Sequence, residues 1–214
     1  MPQVLKDDVQ AGIAAAATRV FAQRGYAAAT MAGIAAAAGV STGNVYRYYE
    51  SKDVLFDDVV SERFVRTFAG LIRRRVRALD GVADVRTLEP SHLYHLASED
   101  LLRFCIENRL RVVILLGRAA GSRHAGFAER TVQDLIALAI AHFRALDPRL
   151  EVTRARRFAL LHIYRSFVGA MVTVLASFTD PVAIRALIGD YTRYHLAGLQ
   201  ELFAGNGAPK RQRR

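Results

Sequence analysis

Apolar residues near the start of the chain recur at the three- and four-residue spacing of an amphipathic helix. The apolar face of this first helix consists of Val9, Ile13, Ala16, Ala17 and Val20. Gly25 can end the helix in a left-handed conformation, which a glycine adopts without steric cost. The pattern therefore predicts a first helix up to about residue 25.

Two short helices are predicted next, over residues 31–38 and 42 to about 49. Thr30 and Ser41 are suitable N-cap residues for them, because a hydroxyl oxygen can accept a hydrogen bond from a free backbone N–H group. Only Gly39 and Val40 separate the two helices. Two short helices joined by a glycine turn are typical of a helix-turn-helix.

The helical spacing continues to the end of the chain. Ser51 can cap a helix that is predicted to run without interruption from residue 52 to about residue 79. Further helices are predicted over residues 91–108, 110–118, 124–146, 153–178 and 182–203. Because no segment alternates with the two-residue period of a strand, we predict an all-α fold.

Polar side chains are concentrated on the second helix of the predicted helix-turn-helix and just after it. Those that can donate hydrogen bonds are Ser41, Thr42, Asn44, Tyr46, Arg47, Tyr48 and Lys52. An α-helix fits the major groove of DNA, where its first residues reach base edges and hydroxyl or amide groups bind phosphates. The pattern therefore predicts a DNA-binding surface.

The run FAQRGYAAATMAGIAAAAGVSTGNVYRYYESKDVLF resembles the helix-turn-helix domain of the tetracycline-repressor (TetR) family of bacterial transcription regulators. The resemblance extends from about Val9 to Phe56, with Ala29 where many members have a second threonine. It implies a DNA-binding domain over residues 1–53 and an effector-binding and dimerisation domain over residues 54–204. The remaining residues 205–214 are expected to form a basic, disordered tail.

The resemblance also implies roles for individual residues at the DNA. The DNA-binding candidates are Thr30, Ser41, Thr42, Gly43, Asn44, Tyr46, Arg47, Tyr48 and Lys52. Asn44 can pair with adenine and Arg47 with guanine, whereas Tyr46 and Lys52 resemble phosphate ligands. Tyr48 either donates to a phosphate or packs against the first helix. Thr30 and Ser41 either act only as caps or bind phosphate as well.

A homodimer formed by the last two long helices is also expected from the family. The apolar stripes predicted for its interface consist of Phe158, Leu161, Arg165, Val168, Val172 and Leu175 on one helix and Ile184, Leu187, Ile188, Tyr191, His195, Leu199 and Leu202 on the other. The alternative is that these faces are buried within one subunit.

A small, mainly hydrophobic effector is expected in the C-terminal domain. The predicted pocket residues, on segments that surround the effector pocket in the family, are Phe68, Leu101, Leu102, Cys105, Tyr164, Phe167 and Met171. The positive charges of Arg109, Arg118 and Arg165 also allow an effector with an anionic head group, such as an acyl or aromatic acid. We predict no cofactor.

The composition narrows the function classes. The single cysteine, Cys105, and the absence of a signal-peptide pattern favour a cytoplasmic protein. No apolar run approaches the roughly 20 uncharged residues of a membrane span. The net charge of +10 suggests an anionic partner, but residues 1–50 carry only +1 and the last ten residues carry +4.

Enzymatic motifs are not found in the sequence. His92, His95 and Glu99 share a helix face, but a solvated polar face explains them better than a metal site. The resemblance to the family implies a dimeric, effector-responsive repressor of a palindromic operator in double-stranded DNA. The alternatives are a constitutive architectural DNA-binding protein and a transcriptional activator.

Overall fold

The computed structural model describes residues 3–204. The α-helices of this part are α1 (Gln3–Ala28), α2 (Met31–Ala38), α3 (Thr42–Tyr46), α4 (Lys52–Val59), α5 (Glu62–Arg77), α6 (Leu93–Glu107), α7 (Arg109–Val113), α8 (Phe127–Leu146), α9 (Arg154–Ser177) and α10 (Pro181–Ala204). A short 3₁₀ turn spans Val85–Thr87, and a π turn at Ile114–Arg118 continues α7. No strand occurs between residues 3 and 204, so the prediction of an all-α fold is confirmed.

Predicted N-caps begin several of these helices. The hydroxyl of Thr30 accepts a hydrogen bond from the Gly33 N–H and that of Ser41 from the Asn44 N–H, each at 3.1 Å. Ser51 accepts from the Val54 N–H at 3.2 Å. Gly25 and Gly39 have φ angles of 79° and 68°, which marks the kink near the end of α1 and the turn after α2.

The prediction of one uninterrupted helix from residue 52 to about residue 79 is wrong. α4 ends at Val59, and α5 begins after Ser61, whose hydroxyl accepts a hydrogen bond from the Phe64 N–H at 3.3 Å. Glu62 lies in the first turn of α5, where the helix dipole favours an acidic side chain. This new cap, together with the non-helical backbone at Val60, separates the two helices.

One apolar core extends from the helix-turn-helix into the rest of the chain. It contains Phe21 of α1, Phe56 of α4 and Phe68 of α5, together with residues of α7, α9 and α10. A second cluster joins α8, α9 and α10. The predicted boundary between residues 53 and 54 is therefore crossed by continuous packing.

α9 is long and apolar enough, by length and composition alone, to cross a membrane, with a mean hydropathy of 1.6 over 18 residues. Arg165 divides the apolar part of this helix, so the prediction that no uncharged run approaches about 20 residues still holds. Within the fold, Leu160 and Leu175 of α9 are buried, as expected for a helix that supplies core.

Candidate DNA-binding surface and ligand cavity

The helix-turn-helix holds α3 by one face and exposes the other. Val45 is fully buried and belongs to the same core as Ile34 and Ala35 of α2. On the opposite side, Arg47 is exposed and the Tyr46 ring is 52% exposed. The residues at the start of α3, Ser41, Thr42, Gly43 and Asn44, are exposed or partly exposed. α3 therefore presents the predicted DNA-binding side chains to solvent.

Lys52 has a structural role that the sequence pattern does not indicate. Its ammonium group donates to the backbone carbonyls of Tyr26 at 2.9 Å and Ala29 at 3.0 Å, and Nζ lies 4.2 Å from the centre of the Tyr26 ring. These bonds satisfy carbonyl groups at the end of α1. An ammonium group has three N–H donors, so one remains for the phosphate predicted as its partner.

Two tyrosines attach α4 to the rest of the N-terminal domain. The Tyr26 hydroxyl donates to the Asp53 carboxylate, and the Tyr49 hydroxyl donates to Asp58 at 2.6 Å. Burial and these carboxylates raise the pKa of both hydroxyls to about 12, so they stay protonated as donors. Tyr48 is partly buried against the main core, the packing alternative considered for it, and Thr30 is exposed beside its cap bond.

A cavity of about 940 Å³ lies in the C-terminal part of the chain. Six of the predicted pocket residues line it: Phe68, Leu101, Leu102, Cys105, Phe167 and Met171. The placement of Tyr164 in this lining is corrected. Its ring is buried in the second core cluster against His195, with the ring centres 4.7 Å apart, because it faces α10 and not the cavity.

The arginines first considered for an anionic ligand do not line the cavity. Arg109 donates to the Leu175 carbonyl at 2.7 Å, Arg165 pairs with Glu129 at 3.0 Å, and Arg118 is exposed. Arg75 lines the cavity instead. The signal that identifies it is its spacing from Phe68 and Ile72, which places all three on one face of α5.

Two other candidate groups are occupied in structural contacts. His92 accepts a hydrogen bond from the Tyr94 N–H at 3.1 Å and so caps α6, and Glu99 is paired with Arg185. Burial raises the pKa of the Cys105 thiol to about 12, so the thiol form dominates at neutral pH. The contacts of His92 and Glu99 favour structural roles for both residues. Burial favours an unreactive Cys105 thiol.

The predicted dimer stripes are divided between the subunit core and the surface. Val168, Leu175, Ile184, His195 and Leu199 are buried within the subunit and cannot present side chains to a partner. Leu161, Val172, Leu187, Ile188 and Leu202 are partly buried, and Phe158, Arg165 and Tyr191 are exposed. Exposed apolar residues that the stripes missed are Ile163, Phe178, Val182 and Tyr194. The basic tail at residues 205–214 lies outside the described residues.

A capped helix-turn-helix that exposes one polar helix, joined to a helical domain with a large cavity, defines a DNA-binding regulator. Residues 13–59 match the family described as "Bacterial regulatory proteins, tetR family". The N-terminal part of this chain therefore matches the tetR family model, which confirms the resemblance seen in the sequence. Members of this family are DNA-binding transcription regulators and not enzymes.

A solved structure shares this fold over nearly the whole chain. It is a TetR-like transcriptional regulator from Rhodococcus sp. RHA1, which is 23% identical and covers 92% of this chain and 99% of its own, with a TM-score of 0.52. Thermus thermophilus FadR, a TetR-family repressor solved in complex with lauroyl-CoA, is 20% identical over 88% of this chain and 94% of its own, with a TM-score of 0.43. No curated protein matches the chain.

Proposed function

We propose that the chain is an effector-responsive transcriptional repressor that binds a palindromic operator as a homodimer. The observation that supports this most is a cavity of about 940 Å³ with a mostly apolar lining in a chain that has a tetR helix-turn-helix. A cavity of this size is at the upper end of the range for small-molecule sites, roughly 300–1,000 Å³. A constitutive architectural protein has no use for such a cavity.

The cavity and the DNA-binding domain are connected through the break between α4 and α5. The Arg123 guanidinium lies 2.8 Å from Asp57 of α4 and 3.5 Å from Glu62 of α5, so it joins the two helices. His124 Nε2 lies 3.2 Å from the Val60 carbonyl oxygen. α5 also carries Phe68 and Arg75 into the cavity lining.

This connection suggests how an effector releases DNA. Because α4 and α5 are separate helices, a movement of α5 reaches α4 through the contacts at the break between them. One uninterrupted helix would instead move as a rigid body. An effector that moves α5 changes the position of α4 and, with it, the separation of the two α3 helices in a dimer. Recognition helices must be about 34–36 Å apart to read successive major grooves, so a changed separation weakens binding at both half-sites.

Operator binding is expected to depend on Arg47 and Tyr46 in different ways. Arg47→Ala should weaken binding to the selected operator by about 1–3 kcal/mol and reduce specificity at one base pair, if its guanidinium pairs with a base. Tyr46→Phe removes a phosphate donor and should weaken all sequences alike. Selection from a random duplex library followed by gel-shift titration measures both effects.

The control for this titration is Arg144→Ala, which removes an exposed arginine of α8 far along the chain from α3. Its operator affinity should equal that of the wild type. Recovery of no palindromic site from the library would contradict the proposed repressor.

The homodimer is expected to form where α9 and α10 leave apolar residues uncovered. Phe158 is 65% exposed and Tyr194 is 80% exposed. Aromatic rings that are exposed to this extent indicate an interaction surface rather than the surface of a monomer. Gly169 and Gly198 have open space where a Cβ would stand, so a second copy can approach these helices closely. We infer that a second copy covers this surface.

Tyr194→Glu should therefore weaken the dimer by about 2 kcal/mol, or roughly 30-fold in dissociation constant, as for a central aromatic interface residue. Light scattering across a dilution series measures the mass. Leu93→Glu, at an apolar residue of α6 that is 67% exposed, should leave the mass unchanged. A wild-type protein with the mass of one chain at micromolar concentration would refute the dimer.

A further inference from the structure

We propose that the effector is an amphipathic carboxylate, whose anionic end binds Arg75, Tyr94 and Ser98 and whose apolar part fills the rest of the cavity. This inference rests on the proposed function and names the chemical class of its ligand. It depends on the donors at one place in the lining, on the charge of Arg75 and on the apolar character of the remaining lining.

The three side chains form a cluster of hydrogen-bond donors. Arg75 Nε donates to the Ser98 hydroxyl at 3.1 Å, and Arg75 Nη2 donates to the Tyr94 hydroxyl at 2.8 Å. A guanidinium has five N–H donors, so three remain for a ligand. In the part of the chain that the structure describes, neither hydroxyl donates a hydrogen bond, so both protons are available as well. An acceptor-only group such as a carboxylate complements this cluster.

The charge of Arg75 has only neutral partners among the described residues. Its guanidinium bonds to two hydroxyls and lies 5.1 Å from the centre of the Tyr94 ring, which is buried. Of the other charged side chains in the lining, Glu99 is paired with Arg185 and Arg193 is paired with Asp190. A partly buried charge without a counter-ion is costly, and an anionic ligand would supply the missing ion pair.

The field of Arg75 extends into the buried part of the domain. Its positive charge adds to the lowering of the pKa of the His195 imidazole that burial causes, and it opposes the rise that burial causes in the pKa of the Cys105 thiol. Both effects are consistent with a guanidinium charge that lies near the buried His195 and Cys105 side chains. This is the region in which the negative end of a ligand would be stabilised.

The rest of the lining is suited to a hydrocarbon chain or ring. Its apolar side chains include Phe68, Ile72, Leu102, Phe167 and Met171. Burial of each methylene group removes apolar surface from water, so a long apolar part gives affinity while the carboxylate gives orientation. A fully polar anion would leave this lining without contacts, and a fully apolar ligand would leave Arg75 unpaired.

Calorimetry on the full-length chain tests the head group with matched probes. The probes are octanoate, dodecanoate and hexadecanoate, 4-phenylbutyrate, and the methyl ester of each. At least one acid should bind, and its ester should bind at least about 10-fold more weakly, because charge-assisted hydrogen bonds to Arg75 are lost.

Variants of the chain distinguish the loss of head-group contacts from a loss of folding. Arg75→Gln should weaken the best acid by about 10- to 100-fold and change its ester by less than about 2-fold. Tyr94→Phe, which keeps the ring, should weaken the acid by about 3- to 10-fold. Arg73→Gln, at an exposed arginine of the same helix, should bind like the wild type. Thermal melting of each free variant shows whether it is folded.

The inference is overturned if no acid binds, if an ester binds as tightly as its acid, or if Arg75→Gln weakens acid and ester equally. A second arm adds the selected operator duplex, which should weaken acid binding by the factor by which the acid weakens operator binding. If an ester binds and releases the operator, the proposed repressor function is supported but the proposal that the effector is a carboxylate is overturned. Acid binding that depends on Arg75, with no operator recovered, would retain the ligand class and overturn the repressor.

Discussion

Phe56→Ala is expected to lower the free energy of unfolding by about 3–5 kcal/mol, the usual cost of truncating a buried phenylalanine. Phe56 of α4 is 1% exposed, and its ring centre lies 5.2 Å from that of Phe21 and 4.8 Å from that of Tyr26. The ring also lies beside His124, which contacts the backbone between α4 and α5. Its loss should therefore destabilise both parts of the chain.

Urea denaturation followed by circular dichroism at one fixed protomer concentration measures this change, since association also contributes to stability. Leu93→Ala, at an exposed residue of α6, serves as the control and should change the free energy by less than about 0.5 kcal/mol. If Phe56→Ala shifts only part of the transition and leaves a second transition at its wild-type midpoint, the two parts are not one cooperative unit.

Acidification from about pH 6.5 to about pH 4 is expected to destabilise the protein through His195 by up to about 3 kcal/mol. His195 is buried against Phe167 and Tyr164, and its Nε2 has no hydrogen-bond partner among the described residues. Burial, with a smaller contribution from Arg75, lowers the pKa of its imidazole to about 4. Between this pKa and the ordinary value of about 6.5, the unfolded chain binds a proton that the folded chain does not. Stability is therefore complete above pH 6.5 and decreases as the pH falls.

The comparison that isolates this effect is the free energy of unfolding of wild type and His195→Phe at pH 7 and pH 4.5. His195→Phe keeps an aromatic ring without an ionisable group and should lose much of the pH dependence. Burial also lowers the pKa of His142, so some dependence should remain. His162→Gln, at an exposed histidine of α9, is the control. An unchanged pH dependence in His195→Phe would show that His195 is not responsible.

Local features of the chain could be predicted from the sequence because their causes are local. The cap bonds of Thr30, Ser41 and Ser51 join residues three positions apart, and α2 begins and ends where the spacing predicts. The exposed polar side of α3 follows from one buried residue, Val45, within a five-residue helix. Neighbouring residues alone were therefore sufficient to predict the helix-turn-helix, and its resemblance to known members indicated the family.

The break at Val60 is harder to predict, since the apolar spacing of residues 55–72 also fits one continuous helix. Ser61 followed by Glu62 is a local cap signal, but it competes with that spacing. The contacts of His124 and Arg123, which lie about sixty residues further along the chain, hold the two helices at the break. Contacts between such distant residues are not visible in a local pattern.

The sequence by itself determined the all-α fold and the helix-turn-helix, because helical periodicity and capping depend on near neighbours, and the family resemblance indicated six of the residues that line the cavity. Only the tertiary structure decided that Lys52 binds the end of α1 and that Tyr164 packs away from the cavity. It also decided which apolar residues of α9 and α10 are core and which are exposed. Both helices are apolar around most of their circumference, so the direction of each side chain depends on the helices packed against it.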